Sequence, residues 1–305
     1  MNWKTLFSTP PPDTVWSLDG QKLVVVHRDR KTGDRCAAVA VPEDIFHLGV
    51  AGLQSVDEQR LTGLLTSLQE TINGVRRVAV VIPTHWVRCF LMEAAELPRR
   101  RADLQDVLRW RLKKLLPVAP ADLRIAASIQ SFGGDQQQVL CSTMSETAIA
   151  HLESAFEGAG ISPGLVVPRV YAFVLEPASL AVHRVIVQQE DSLLSMAVVT
   201  DGGVRFIRTK PLPQSGGSWQ GVEREIALAM SYIRTTMAID GDIEAVVSAS
   251  EEATVRSIAG LLERQPGVAV RIPDARQICP DVNLASTLGS ARLAPMAAVL
   301  NGGAP

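Results

Sequence analysis

Arg109, Trp110 and Arg111 stand in a row, with Arg99, Arg100, Arg101, Lys113 and Lys114 close by. A guanidinium holds a carboxylate or carbonyl with parallel donors, and an indole covers an apolar anchor. Aromatic and arginine side chains together are enriched at protein interface hot spots. Asp103 and Asp106 partly offset the charge. Three readings fit: the solvated back of a core-facing helix, a contact for a protein partner, or a basic surface for nucleic acid or anionic lipid. Trp110 could also pack beneath the loop containing Pro117 and Pro120.

Other chemistry is sparse. The chain has no phosphate-binding G-x-x-x-x-G-K-S/T, no G-x-S-x-G and no H-E-x-x-H. Its five histidines, His27, His47, His85, His151 and His183, lack metal-ligand spacing. Asp240 and Asp242 flank Gly241, which reads more simply as a turn than as a metal loop. Glu223 and Glu225 open a helix, where carboxylates suit the positive end of the helix dipole. Cys36, Cys89, Cys141 and Cys279 lie far apart with no C-x-x-C pair, as expected of reduced, buried thiols in a cytoplasmic protein.

The basic row needs a helix to carry it, and the sequence supplies one. Leu104, Val107, Leu108, Leu112, Leu115 and Leu116 recur at three- and four-residue spacing on one face. Pro98 precedes this stretch and Pro117 stops it, because proline lacks an N–H and disfavours helix in the residue before it. Around it, 305 residues suggest two lobes, and 47% apolar content fills a core. A net charge of −2 gives no global case for nucleic acid. No apolar run approaches the roughly 20 residues that cross a bilayer. The segment 1–13 reads as a tail, not a secretory signal.

Strands are expected at 15–18, 23–26 and 36–41, the first two joined at Asp19-Gly20, where both residues tolerate positive φ. A helix follows at 55–73. The block 78–160 reads as strand, strand, helix, strand, strand, helix, with a turn at Gly133-Gly134-Asp135. A short helix at 170–175 precedes strands at 182–188, 193–200 and 204–209, with a turn at Gly202-Gly203. Helices at 222–237 and 252–263 then alternate with strands at 245–248 and 268–272. A helical region at 284–300, broken at Pro295, closes the chain. Strands followed by helices thus occur twice.

Glu96, Leu97, Pro98, Val107, Arg109, Trp110, Leu116, Pro117, Pro120 and Leu123 form a more specific pattern. The stretch resembles the PilM family of type IV pilus assembly proteins, actin-like proteins related to the cell-division protein FtsA. Val118 stands where that family has an aromatic. The resemblance implies an α/β, actin-like (ribonuclease H-like) two-lobe fold with an inserted α+β subdomain in the first lobe. Its parts would be a tail at 1–14, a first lobe at 15–77, the subdomain at 78–165, a second lobe at 166–290 and a C-terminal helix and tail at 291–305.

In that family two hairpins with glycine-bearing turns and an Asp each hold the nucleotide, because glycine lets backbone N–H groups approach phosphate. The positions matching the first are Asp19 and Gly20, where the Asp-x-Gly before the turn is absent. The second matches Asp191 and Ser192, in a stretch without glycine. The third element, a Gly-Gly pair, reads Val247-Ser248-Ala249-Ser250-Glu251. The resemblance so degraded implies no catalytic residue, no bound metal and no ATP or Mg cofactor. It implies a scaffold of a type IV pilus or type II secretion-like platform, cytoplasmic and recruited to the inner membrane by a partner. That partner would be a PilN-like single-pass membrane protein, whose N-terminal peptide enters a groove between first lobe and subdomain, with Arg109, Trp110 and Arg111 as contacts. The cytoplasmic part of the secretion protein GspL is a near alternative. An active actin-fold ATPase or sugar-kinase-like phosphotransferase is the enzyme alternative. A homo-oligomer is compatible with this reading; nucleic acid and a membrane span are not expected.

Overall fold

A computed structural model describes residues 13–29, 31, 33–72, 77–93, 98, 100–116, 118–131, 137–176, 183–190, 192–212, 218–274 and 278–302. The chain forms two compact units, Met1–Arg169 and Val170–Pro305.

The first unit opens with an antiparallel meander of β1 (Thr14–Leu18), β2 (Lys22–His27) and β3 (Arg35–Ala40). β1 and β2 are apolar on both faces and buried on both, as central strands must be. A small hairpin, β4 (Phe46–Gly49) and β5 (Gly52–Val56), precedes helix α1 (Glu58–Ile72). The expected helix at 55–73 therefore loses its first residues to β5. The boundary is set by Asp57, whose Oδ1 accepts the Arg60 N–H at 3.0 Å. Gly52 has φ +108°, and a Cβ there would lie 2.3 Å from the Trp86 carbonyl oxygen, so only glycine fits.

β6 (Arg77–Ile82) returns to the main sheet, parallel to β1. The chain then leaves through β7 (Arg88–Glu93), α2 (Arg101–Leu112), β8 (Leu123–Ser131) and β9 (Gln137–Ser145), a separate sheet in the order β7-β9-β8. It re-enters with α3 (Glu146–Gly158) and β10 (Ser162–Pro168), giving a main sheet ordered β10-β6-β1-β2-β3. The inserted part is thus 88–145, narrower than the expected 78–165. β6 and α3 belong to the core of the first unit: Val78, Val80, Ile82, Ala148, Leu152 and Phe156 pack with Trp16, Leu61 and Leu65. An edge-to-face contact of Trp16 with Phe156, centroids 6.0 Å apart, ties sheet to helix.

In the second unit, after α4 (Arg169–Ala172) at the boundary, β11 (His183–Glu190), β12 (Leu193–Thr200) and β13 (Gly203–Pro211) form another meander. Helix α5 (Ser218–Thr235), β14 (Ile243–Ala249), α6 (Glu252–Glu263) and β15 (Val268–Arg271) follow. The sheet order β13-β12-β11-β14-β15 repeats β3-β2-β1-β6-β10 strand for strand. The expected repetition is therefore present, with the insertion in the first copy.

The β12–β13 turn is Asp201-Gly202, not Gly202-Gly203: φ is +54° and +75°, the paired positive values of a primed hairpin turn. The closing helices are α7 (Val282–Leu288) and α8 (Ser290–Asn301). They break at Gly289, with φ +71°, while Pro295 lies inside α8. Among the described residues no helix is long and apolar enough to cross a membrane.

Candidate functional site

β1, β6 and β10 run parallel, so their carboxyl ends meet at one edge of the sheet, the side on which open α/β sheets bind ligands. Ser17, Asp19, Thr84 and Arg169 all lie at those ends, and all are buried. The Asp19 N–H donates to the Lys22 carbonyl at 3.1 Å. Asp19 Oδ1 accepts the backbone N–H groups of Gln21, at 2.8 Å, and of Lys22, at 2.7 Å. Arg169 Nη2 donates to Asp19 Oδ2 at 2.9 Å and reaches Ser17 Oγ at 3.5 Å. The hairpin expected from Asp19-Gly20 is present, but neither residue has positive φ. The turn closes because the Asp19 carboxylate takes its N–H groups, and its centre shifts to Gly20-Gln21.

The second unit has a comparable edge. Thr209, Ser195, Gln188 and Ser248 stand in one row across β13, β12, β11 and β14. Ser195, Gln188 and Ser248 are buried, and the Ser195 and Thr209 hydroxyls are 3.0 Å apart. Of the expected degenerate loop positions here, Asp191 lies outside the described residues. Ser192 sits at the turn, where its carbonyl accepts the Leu212 N–H at 2.6 Å. The stretch Val247 to Glu251 ends β14 and starts α6 without a glycine, and the Glu251 side chain makes no capping bond. Among the described residues no group of three or more His, Cys, Asp or Glu side chains could hold a metal.

Helix α2 carries the sequence-predicted contact residues. Its leucines pack inward: Leu108 and Leu112 are fully buried against Ile125, Val139 and Cys141, with Leu104 and Leu116 at the margin. Leu115, expected on the same stripe, is 55% exposed. The helix ends at Leu112, and both Leu115 and Leu116 donate to the Leu112 carbonyl. The tightened last turn breaks the 3.6-residue phase, turning Leu116 inward and Leu115 out. Trp110 is 65% exposed, with the Lys114 ammonium 5.4 Å from its ring centroid. At that exposure its ring stands largely in solvent; Pro117, under which it could have packed, lies outside the described residues. Arg109 is exposed and pairs loosely with Asp106 at 3.8 Å. Arg111 differs from both: its Nη1 donates to the Glu93 carbonyl at 2.7 Å, fastening α2 to the end of β7. The structure therefore leaves Arg109 and Trp110 outward and commits Arg111 to the subdomain. Exposed Leu48 and Val50 on the β4–β5 tip were not singled out by sequence, because a four-residue strand carries too few positions to show a period.

By sequence the chain matches no family profile and no curated protein. By structure it matches a PilM-PilN type IV pilus biogenesis complex, with TM-score 0.69 and 14% identity over 97% of this chain and 100% of the other. It also matches a Bacteroides thetaiotaomicron protein with an actin-like ATPase fold and unknown function, at TM-score 0.52 and 9% identity over 98% of each chain. The chain has the actin-like fold. A third match is the cytoplasmic domain of EpsL, an inner-membrane component of the Vibrio cholerae type II secretion system, at TM-score 0.47 and 10% identity over 89% of this chain and 94% of that one. Read on the actin-like fold, 88–145 is an insertion into the first of two repeated halves.

Proposed function

We propose that this chain is a PilM-like scaffold. It receives the cytoplasmic N-terminal peptide of a PilN-like single-pass membrane protein, and so joins the inner-membrane platform of a type IV pilus or a type II secretion-like machine. The observation that carries this reading is the full-length match to the PilM-PilN complex, insertion included, with neither chain left over to a large extent. The outward Trp110 and Arg109 support a protein contact on the inserted subdomain. The scaffold works without nucleotide turnover, so no catalytic residue and no cofactor are assigned. Asp19 supports this part, because its carboxylate already takes the turn N–H groups that a phosphate would need.

Two titrations by calorimetry test the proposal. The cytoplasmic N-terminal peptide of a PilN-like single-pass membrane protein binds, whereas Mg-ATP gives no heat. Absence of peptide binding removes the adaptor reading, and micromolar Mg-ATP binding removes the loss of nucleotide.

A further inference from the structure

We propose that the free edge of β13, with the flank of α5 above it, is a docking site for an extended acidic segment of another protein, which joins the second sheet as one more strand. Among the described residues only β12 pairs with β13. β13 is also the longest edge strand of the two main sheets, with nine residues against seven in β10, six in β3 and four in β15. The register shows which backbone groups are free. The Leu212 N–H donates to the Ser192 carbonyl, one step beyond the Leu193–Pro211 pair. Bonding alternates along an antiparallel ladder, so Phe206, Arg208 and Lys210 turn their backbone groups to β12. Ile207 and Thr209 turn theirs outward, and among the described residues nothing takes them.

Natural sheet edges are blunted by charged side chains, bulges or prolines. The bulge here falls at Arg205, before the regular stretch 206–211. Arg208 and Lys210 are drawn back from the edge, because both reach Glu225 on α5, at 3.4 and 3.2 Å. The same flank of α5 presents Leu228 and Tyr232, 48% and 43% exposed and one turn apart, and the Tyr232 ring centroid lies 5.5 Å from that of Phe206. The edge therefore has an apolar end at Phe206, Leu228 and Tyr232. Its other end is cationic, since Arg208 and Lys210 share one carboxylate. Side chains two residues apart on one face of an added strand meet these in turn. That pattern selects one apolar residue and two carboxylates, while main-chain bonds to Ile207 and Thr209 supply the rest of the recognition. A second copy of this chain is the poorer occupant, because pairing β13 with itself gathers the cations of both strands on one face. This inference concerns the second unit alone and does not rest on the pilus reading.

A designed peptide tests it on the full chain. Fluorescein-labelled Thr-Glu-Thr-Glu-Thr-Leu-Thr, amidated at its carboxyl end, sets its carboxylates opposite Lys210 and Arg208 and its leucine opposite Phe206 in antiparallel pairing. Fluorescence anisotropy is expected to show binding, with the analogue carrying lysine in place of both glutamates about tenfold weaker. In amide NMR, the Ile207 and Thr209 N–H groups exchange more slowly with solvent once the peptide is added. Arg208→Glu combined with Lys210→Glu reverses the preference between the two peptides. Ile207→Pro removes one outward N–H and weakens binding; should that variant not fold, the charge reversal decides. Equal affinity for the two peptides, or no binding at millimolar peptide, overturns the proposal. So does protection of the same amides that rises with protein concentration in the absence of peptide, because a second copy then covers the edge.

Discussion

Arg184 on β11 and Glu244 on β14 face each other in register on parallel strands, and their side chains meet at 2.7 Å with both residues buried. The pair does not stand alone. Arg184 Nη1 also donates to the carbonyls of Phe173, at 3.2 Å, and Glu176, at 3.3 Å. Arg271 Nε donates to Glu244 at 2.9 Å, and its other end holds the Glu176 carboxylate. Burial works against the Arg271 charge, but the hydrogen bond and charge of Glu176, with those of Glu244, outweigh it and hold its pKa above the ordinary value. This alternating network lies toward the amino ends of β11 and β14, away from the row containing Gln188 and Ser248. It fixes the second unit and needs no ligand to explain its charges.

Glu244→Gln leaves two cations facing a neutral amide in a buried setting. Breaking one side of such a pair costs about 3–5 kcal/mol. Replacing Arg184 and Glu244 together by methionine is expected to cost less than the sum of the single changes, because each single variant strands a charge. Denaturant unfolding of Glu244→Gln and of the cycle Arg184→Met, Glu244→Met and their double variant measures this. Additive losses would show that the two side chains act independently.

Helix α2 gives a sharper contrast, since one helix carries fully buried and strongly exposed large side chains two residues apart. Leu108→Ala removes a side chain with no solvent exposure from a small core and is expected to cost about 2–5 kcal/mol. Trp110→Ala, on the outer face, is expected to stay within about 0.5 kcal/mol of the parent. Melting curves of both variants check the pair. A large loss at Trp110 would mean that its ring is part of the fold.

Which parts of this architecture could be read from sequence follows from the same physics. α2 was legible because its leucines repeat over several turns, and the meanders because β-branched runs alternate with turns. The edge between insertion and main sheet was not. β6 reads Arg-Val-Ala-Val-Val-Ile, as apolar as any strand, and periodicity cannot say which sheet such a strand joins. The Asp-Gly turn expected at Asp19-Gly20 is present without positive φ, whereas the turn expected at Gly202-Gly203 sits one residue earlier, at Asp201-Gly202, where both residues have positive φ. At the first, Arg169 comes from about 150 residues along the chain, a pairing that no local pattern announces. The same holds for Arg111. Its type suggested a partner, and only the fold places the Glu93 carbonyl within its reach.

Cys141 offers a pH test of the subdomain core. Burial pushes its thiol up to about 12, with the Arg111 charge acting weakly the other way. The folded state therefore favours the protonated thiol. Its contribution is fully present below the ordinary thiol value of 9.0 and is lost as pH rises from there toward about 12. Cys141→Ala is expected to show less alkaline loss of stability across that window. Near pH 8 the thiolate fraction is on the order of one in ten thousand, so iodoacetamide should label half-buried Cys36 and Cys89 well before Cys141. Mass spectrometry of the alkylated peptides reads the order. Early labelling of Cys141 would show that the subdomain opens readily.

The partner surface is decided by comparing residues that the structure separates. Arg109 and Trp110 point outward, while Arg111 is fastened to Glu93. If the outer face of α2 takes the membrane protein's N-terminal peptide, Trp110→Ala and Arg109→Ala should each weaken binding by about 1–2 kcal/mol, the usual scale of a significant interface truncation. Their circular dichroism and melting curves should match the parent. Arg111→Ala should behave differently: it removes a bond between α2 and β7, so stability and binding fall together. The rim cations Lys113 and Lys114 add a further control. Exchanging both for glutamine should alter the salt dependence and the association rate more than the affinity at moderate salt. Calorimetry with the peptide, run beside thermal denaturation, separates the outcomes. Unchanged binding in Trp110→Ala and Arg109→Ala moves the peptide to another face of the subdomain. Lost binding together with a collapsed melting curve removes the outer face as an independent contact and makes its tryptophan a structural residue.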